Sequence, residues 1–180
     1  MSTVTIPEPP FVDRDHYEVV DGVRVELPPM GARETSIAGL LTVHLGYFAL
    51  ARRLGQVQPE MLFLIDARRN LQRRPDVSFV SADKWPIDRQ APTESAWALV
   101  PDLAVEVVSE SNSGPAIQRK IREYFRAGVV QVWVVYPEEE QVFVYETRTR
   151  IRVVTRDDTL TGDPVVPGFA LPLAEIFLAP

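Results

Sequence analysis

Alternating and helical patterns of apolar residues divide the first part of the chain into elements. Residues 16–20 and 23–27 alternate on either side of Asp21-Gly22. Asp-Gly between two alternating runs predicts a β-hairpin, because both turn positions favour positive φ. From about 33 to 54 the apolar residues recur at helical spacing, which predicts an amphipathic helix.

Short runs rich in β-branched residues predict the strands of a sheet. They cover residues 56–58, 61–65, 75–80, 102–108, 129–136, 141–147 and 150–155. A second helical pattern, 117–127, lies between the two most apolar runs. Those two runs should therefore be parallel strands joined by a right-handed crossover. Segments 68–74 and 81–99 lack such patterns and are predicted to be loops.

The order of these elements favours an α/β fold with a mixed β-sheet flanked by helices. Residues 15–180 are long enough for one domain with a substantial core. Residues 1–14 are rich in proline and lack periodicity, so we expect them to form an N-terminal arm.

Composition narrows the chemistry and the location. The chain has no cysteine, so a metal site would have to use oxygen or histidine ligands. Its net charge of −6 argues mildly against non-specific attraction to nucleic acid. No apolar run reaches the ~20 residues of a membrane span, and the first residues do not resemble a signal peptide. We therefore expect a cytoplasmic protein without membrane contact.

One residue contradicts the pattern around it. Glu106 lies in the middle of the apolar run 102–108, where a carboxylate is costly unless it is paired or binds a metal. Asp76 opens another strand. If the two strands are neighbours, both carboxylates can lie at one end of the sheet and bind Mg²⁺ or Mn²⁺. Lys120, on the following helix, could bring an ammonium group over the same strand ends.

Each of these residues also has a simpler interpretation. Asp76 could cap the turn after Pro75, and Glu106 could pair with a buried arginine. Lys120 could be an ordinary surface lysine. No single residue is specific, and the combination is more informative than its members.

Several segments resemble the Uma2 family, also called domain-of-unknown-function family 820, in the same order and at similar spacing. They are Tyr-Glu-Val-Val-Asp-Gly at 17–22, Arg-Pro-Asp-Val-Ser-Phe-Val at 74–80, Val-Pro-Asp-Leu-Ala-Val-Glu-Val-Val-Ser at 100–109, Arg-Lys-Ile-Arg-Glu-Tyr at 119–124, Gly128, and Val-Trp-Val-Val at 132–135. The resemblance covers roughly residues 12–178. It implies a restriction-endonuclease-like fold within the PD-(D/E)xK nuclease superfamily.

The resemblance also implies roles for individual residues. Asp76 matches the PD aspartate and Glu106 the acidic position of (D/E)xK, whereas Val108 occupies the lysine position. Lys120 then takes the role of the displaced lysine, which orients or helps to deprotonate the attacking water. The implied metal ligands are Asp76, Glu106 and the main-chain carbonyl of Val107.

Further roles are less specific. Glu18 matches the Tyr-Glu pattern of the family and would be an additional ligand or a support for the site. An exposed glutamate in a hairpin is the alternative. Basic residues near the site, Arg73, Arg74 and Arg119, would contact phosphates of nucleic acid.

Two functions from different classes follow from these features. The first is a Mg²⁺- or Mn²⁺-dependent endonuclease that hydrolyses phosphodiester bonds, with DNA as the expected partner. The second is a binding or regulatory module that kept the nuclease fold and lost turnover, which the acidic net charge and Val108 favour. A homodimer is expected by analogy, through the apolar hairpin 129–146 and the apolar C-terminal tail.

Overall fold

In the computed structural model, which describes residues 16–109 and 113–178, two helices pack on opposite faces of a six-stranded sheet. The elements of the N-terminal half are β1 (Tyr17–Val20), β2 (Val23–Glu26), α1 (Ala32–Ala51), β3 (Gly55–Pro59), β4 (Phe63–Asp66), β5 (Leu71–Arg73) and β6 (Val77–Ser81). Those of the C-terminal half are β7 (Leu103–Val107), α2 (Gly114–Ala127), β8 (Gln131–Tyr136), β9 (Gln141–Tyr145), β10 (Ile151–Thr155), β11 (Thr159–Thr161) and β12 (Ala170–Pro172), followed by a 3₁₀ turn at Leu173–Glu175.

The large sheet has the strand order β10-β9-β8-β7-β6-β3. Strands β7 and β8, on either side of α2, are parallel, and the other neighbours are antiparallel. The α/β class, the mixed sheet and the parallel pair predicted from the sequence are therefore confirmed.

Alternation along the central strands explains why both faces of the sheet are apolar. Leu103, Val105 and Val107 of β7 belong to the core on the α1 side, whereas Ala104 belongs to the core on the α2 side. Because successive side chains on a strand point to opposite faces, Glu106 also lies on the α2 side.

A second, four-stranded antiparallel sheet of order β2-β1-β5-β4 lies beside the first. The prediction of a loop over 68–74 was wrong in part, because Leu71–Arg73 forms β5 and pairs with β1 and β4. Leu71 and Arg73 are both buried. The segment was predicted to be a loop because it is rich in charged residues. Its residues 71–73 form a strand, and Arg73 pairs with Glu18 and Glu123, which are distant in sequence.

The turn between β1 and β2 has the predicted chemistry, and α2 has a residue suited to each of its ends. Asp21 and Gly22 have φ values of 51° and 81°, as the tight turn between β1 and β2 requires. The side chain of Ser113 accepts a hydrogen bond from the N–H of Ala116 at the start of α2, and Gly128 ends that helix with φ at 104°.

The predicted loop 81–99 is irregular over most of its length, and Trp97 within it is buried against Phe63 and Trp85. In the described part of the chain, no helix has the length and apolar character needed to cross a membrane. The N-terminal arm expected at 1–14 lies outside the described residues. The assignment of 15–180 to a single domain stays a prediction.

Candidate functional site

Two carboxylates meet where β6 begins and β7 ends. The antiparallel register pairs Val77 with Val105, so Asp76 lies beside the C-terminal end of β7. The Oδ2 atom of Asp76 accepts a hydrogen bond of 2.6 Å from the N–H of Val107. Asp76 is half-buried and Glu106 is buried, and both line the same cleft. The condition set out from the sequence, that the two strands are neighbours, is met by the pairing of β6 with β7.

Glu106 is held by two residues of α2 that lie one helical turn apart. The Nζ atom of Lys120 is 2.8 Å from its Oε2 atom, and the hydroxyl of Tyr124 donates a hydrogen bond of 2.6 Å to Oε1. Glu106 therefore pairs with a lysine and a tyrosine, and not with the arginine considered from the sequence. Lys120 is not the exposed surface lysine of the simpler interpretation.

Glu18 of β1 connects the second sheet to this lysine. Its Oε1 atom lies 3.1 Å from Lys120 Nζ and accepts a hydrogen bond of 3.1 Å from the N–H of Arg74. Its Oε2 atom accepts a hydrogen bond of 2.5 Å from Arg73. With 2% exposure, Glu18 is not an exposed hairpin glutamate. It supports Lys120, and both of its oxygens are engaged.

Arg73 is enclosed by carboxylates. It is 4% exposed, and its guanidinium donates hydrogen bonds to Glu18 and to Glu123 of α2. A phosphate could reach it only by displacing one of these partners. The phosphate contact expected of Arg73 therefore does not fit its position, and its place in the structure is that of a buried counter-ion.

Burial and neighbouring charges shift the pKa of each of the two cleft carboxylates. Burial, reinforced by the nearby charge of Glu106, raises the pKa of Asp76 to about 7. Burial also raises the pKa of Glu106, although Lys120 opposes the shift. For Glu18 burial acts in the same direction, but the charges of Lys120 and Arg73 outweigh it and lower the pKa.

Lys120 stays positively charged beside these carboxylates. Burial by itself would lower its pKa, but Glu106 and Glu18 outweigh burial and raise it. A lysine with a raised pKa donates hydrogen bonds and positive charge, and does not accept a proton near neutral pH. The expectation that Lys120 helps to deprotonate water therefore fits its surroundings less well than a role in orientation and charge stabilisation.

The cleft over these residues is small, and its lining combines charged side chains with an edge that contains Pro28 and Pro29. Its volume is about 50 Å³, enough for a few water molecules. Its lining consists of His16, Leu27, Pro28, Pro29, Met30, Arg74, Asp76, Glu106, Val107, Ser109 and Lys120. The segment between β2 and α1 thus forms one side of the cleft.

The donor set of the cleft suits a hard cation that keeps part of its water shell. Among residues 16–109 and 113–178 no three His, Cys, Asp or Glu side chains converge as a complete metal cage. Two carboxylates are available, and Mg²⁺ is commonly bound by one or two carboxylates together with waters and substrate phosphates. Burial and then the charge of Glu106 raise the pKa of Asp76, and a divalent cation would relieve the repulsion between the two carboxylates. Asp76, Glu106 and the carbonyl of Val107 therefore fit such an ion.

Of the remaining predicted site residues, one lines the cleft and one lies on the exposed surface of α2. Arg74 lines the cleft and donates hydrogen bonds to the carbonyl oxygens of Tyr17 and Glu60. Arg119 is exposed on α2, next to Lys120 in sequence. Sequence reasoning missed Glu123 and Tyr124. Their spacing of three and four residues from Lys120 places them near it along the helix, which was the available signal.

Replacing Asp76 by Asn should change how stability depends on pH. With its raised pKa, Asp76 keeps a proton in the folded protein up to about pH 7, whereas an unperturbed Asp has a pKa of 3.8. Ionisation between these values destabilises the fold, so stability falls as pH rises through this window. With a chelator present, Asp76→Asn should be more stable than wild type at pH 8 by about 2–4 kcal/mol.

Urea denaturation at pH 4 and pH 8 measures this difference. Asn keeps an oxygen that can accept the hydrogen bond from Val107, so the comparison isolates the charge. An advantage of Asp76→Asn that is the same at both pH values would contradict the account of the Asp76 pKa.

Removing the buried arginine should be strongly destabilising. Arg73→Met leaves Glu18 and Glu123 without their shared counter-ion, and we expect a loss of about 3–5 kcal/mol in the free energy of unfolding. The matched control is Arg150→Met, which removes an exposed pair with Glu146 and should cost less than about 1 kcal/mol. Similar losses in the two variants, measured by urea denaturation, would show that Glu18 and Glu123 do not need Arg73 as a counter-ion.

Comparisons with known proteins agree with this fold. A crystal structure described as a "putative nuclease belonging to DUF820" from Anabaena variabilis superposes with a TM-score of 0.77, and the match covers 89% of each chain at 17% sequence identity. That identity supports likeness of fold alone. No curated protein matches the chain.

A family model matches almost the whole sequence. The model of the Uma2 family, described as "Putative restriction endonuclease", covers residues 7–174. The family resemblance read from the sequence and the restriction-endonuclease-like fold expected from it are therefore confirmed, and the chain belongs to the Uma2 family.

Proposed function

We propose that the protein is a nuclease that hydrolyses phosphodiester bonds in DNA and depends on Mg²⁺ or Mn²⁺. One observation carries the proposal: Asp76, just before β6, and Glu106 of the neighbouring β7 line one cleft together with the ammonium group of Lys120. Membership in a family of restriction-endonuclease-like proteins supports the same reaction class. Because one fold can serve several functions, the proposal rests on the residues of the cleft and not on the fold alone.

Asp76, Glu106 and the carbonyl of Val107 would hold the cation. When bound, a divalent cation activates water and neutralises charge on a phosphate. The hydrogen bond from the N–H of Val107 fixes the orientation of Asp76. The hydrogen bond from Tyr124 does the same for Glu106, so both carboxylates are in place before a ligand arrives.

Lys120 would donate to the attacking water and stabilise the negative charge that develops on the phosphate. Glu18 keeps its ammonium group at the cleft through the 3.1 Å contact. In the (D/E)xK pattern the lysine lies two residues after the acidic residue, at the position that Val108 occupies in this chain. In the proposed arrangement Lys120 of α2 takes the role of that lysine. Tyr124 and Glu18 act through their neighbours and are positioning residues.

Phosphate groups of the substrate would contact basic residues at the rim of the cleft. Arg74 already forms part of its wall, and Arg119 is exposed on the adjoining helix. Because Arg73 is enclosed by Glu18 and Glu123, the substrate contacts are assigned to Arg74 and Arg119.

A binding or regulatory module without turnover is the second candidate. The observation that favours it is the engagement of both Glu106 oxygens, by Lys120 and by Tyr124. If these contacts persist whenever the protein meets a cation, Glu106 is a structural carboxylate. Such a module would bind nucleic acid or protein without metal and without cleavage.

Cleavage of supercoiled plasmid, with double- and single-stranded oligonucleotides alongside, distinguishes the two candidates. With Mg²⁺ or Mn²⁺ the wild type should cut, and a chelator should abolish cutting. Asp76→Asn, Glu106→Gln and Lys120→Met should each lose at least about a hundredfold in rate, as expected for removal of a ligand or a charge-stabilising group.

Arg122→Met is the matched control for Lys120→Met, because Arg122 is an exposed cation of the same helix. It should keep full activity. Cleavage that survives Asp76→Asn would identify a contaminant or a different site. Metal-independent DNA binding without any cleavage would establish the module and reject the nuclease.

A further inference from the structure

Lys120 occupies a carboxylate oxygen that the proposed cation site uses. Its Nζ atom lies 2.8 Å from Oε2 of Glu106 and 3.1 Å from Oε1 of Glu18. The side chain of Lys120 lines the cleft together with Asp76 and Glu106. The ammonium group of this chain therefore already neutralises a carboxylate that would hold the cation.

The two oxygens of Glu106 have partners of different charge. Oε1 accepts a hydrogen bond of 2.6 Å from the hydroxyl of Tyr124. Burial, reinforced by the charge of Glu106, raises the pKa of this hydroxyl, so the donor stays neutral. Such a neutral donor is compatible with a metal ligand, because metal-binding carboxylates commonly accept hydrogen bonds from outer residues.

The contact of Oε2 with Lys120 is different, because it brings a full positive charge to the same carboxylate. An ammonium group repels a divalent cation strongly at short distance in a buried site. When a cation binds Glu106, the contact with Lys120 therefore has to change, whereas the contact with Tyr124 does not.

Glu18 offers the ammonium group a second carboxylate. Although burial opposes its ionisation, the charges of Lys120 and Arg73 lower the pKa of Glu18, so it stays negatively charged. Glu18 is not among the residues that line the cleft, and it can therefore hold Lys120 without being a ligand itself. The flexible four-carbon stem of a lysine lets its ammonium group shift between neighbouring acceptors.

We propose that Lys120 competes with the cation for Glu106. In the metal-free protein its ammonium group holds Oε2 of Glu106, and when a cation binds it leaves that oxygen and stays with Glu18 alone. The inference rests on the proposed function, since it concerns the same cation site. It gives Glu18 a specific role, as the acceptor that keeps Lys120 at the cleft after the exchange.

The exchange couples the binding of the cation to the release of the ammonium group. In the metal-free protein, the ammonium group of Lys120 serves two carboxylates. After it leaves Glu106, one of its donors becomes available for the water or phosphate of the proposed reaction. The same exchange lowers the apparent affinity for the cation, because only molecules in which Oε2 is free are competent to bind.

Calorimetric titration of Mn²⁺ into the wild type and two variants tests the competition. Lys120→Met should bind Mn²⁺ at least about tenfold more tightly than the wild type, because the competing charge is gone. Arg122→Met removes an exposed cation of the same helix and should leave the affinity unchanged. Burial raises the pKa of Glu106 and Lys120 opposes that rise, so the titrations are done at about pH 8 to limit competition from protons.

Glu18→Gln tests the second acceptor in a double-mutant cycle. With Lys120 present, this change confines the ammonium group to Glu106 and should weaken Mn²⁺ binding at least about tenfold. In the Lys120→Met background it removes only one nearby negative charge and should weaken binding about threefold or less. Equal effects in the two backgrounds would contradict the role assigned to Glu18.

Crystal structures of the wild type without and with Mg²⁺ test the exchange without any variant that folds poorly. In the Mg²⁺-loaded protein, Lys120 Nζ should stay within hydrogen-bonding distance of Glu18 and lie beyond it from Oε2 of Glu106. An ammonium group that stays on Oε2, crystals that take up no Mg²⁺, or a folded Lys120→Met that binds Mn²⁺ no more tightly than the wild type would each overturn the proposal.

Failure of this inference is distinguishable from failure of the nuclease proposal. Metal-dependent plasmid cleavage by the wild type, without tighter binding by Lys120→Met, overturns the competition alone. Tighter binding by Lys120→Met without any cleavage by the wild type supports the competition and rejects the nuclease.

Discussion

The burial of Glu106 in a central strand is the constraint on which the rest of the site depends. An isolated buried carboxylate would cost several kcal/mol. Hydrogen bonds from Lys120 and Tyr124 of α2 offset this cost for Glu106. Lys120 also forms an ion pair with Glu18 of the second sheet, and Glu18 forms one with Arg73. The contacts that begin at Glu106 thus connect both sheets and α2.

This network contains more negative than positive groups. The carboxylates of the network are those of Asp76, Glu106, Glu18 and Glu123. The cations beside them are the half-buried Lys120 and the buried Arg73, and Arg69 lies 3.7 Å from Glu123. Buried ion pairs of this kind contribute little net stability. Their arrangement makes physical sense if the cleft receives further positive charge, which is why the raised pKa of Asp76 and the proposed cation site belong to one account.

Local patterns made much of the architecture predictable. The Asp21-Gly22 hairpin, both helices and the strands that carry Asp76 and Glu106 follow from turn chemistry and hydrophobic spacing within short windows. What could not be read locally was β5. Its buried Arg73 looks like a loop residue until Glu18 and Glu123, distant in sequence, are placed beside it. The structure brings Asp76, Glu106 and Lys120 together as the sequence suggested, but the support from Tyr124 and Glu18 depends on tertiary contacts.

Titration of Mn²⁺ into the wild type and Asp76→Asn by calorimetry is the most direct test of the account. We expect the wild type to bind the ion and Asp76→Asn to lose that binding, while Asp83→Asn, which changes an exposed aspartate, keeps it. Absence of binding in the wild type, or equal binding in the wild type and Asp76→Asn, would contradict the cation site and leave Glu106 as a structural carboxylate.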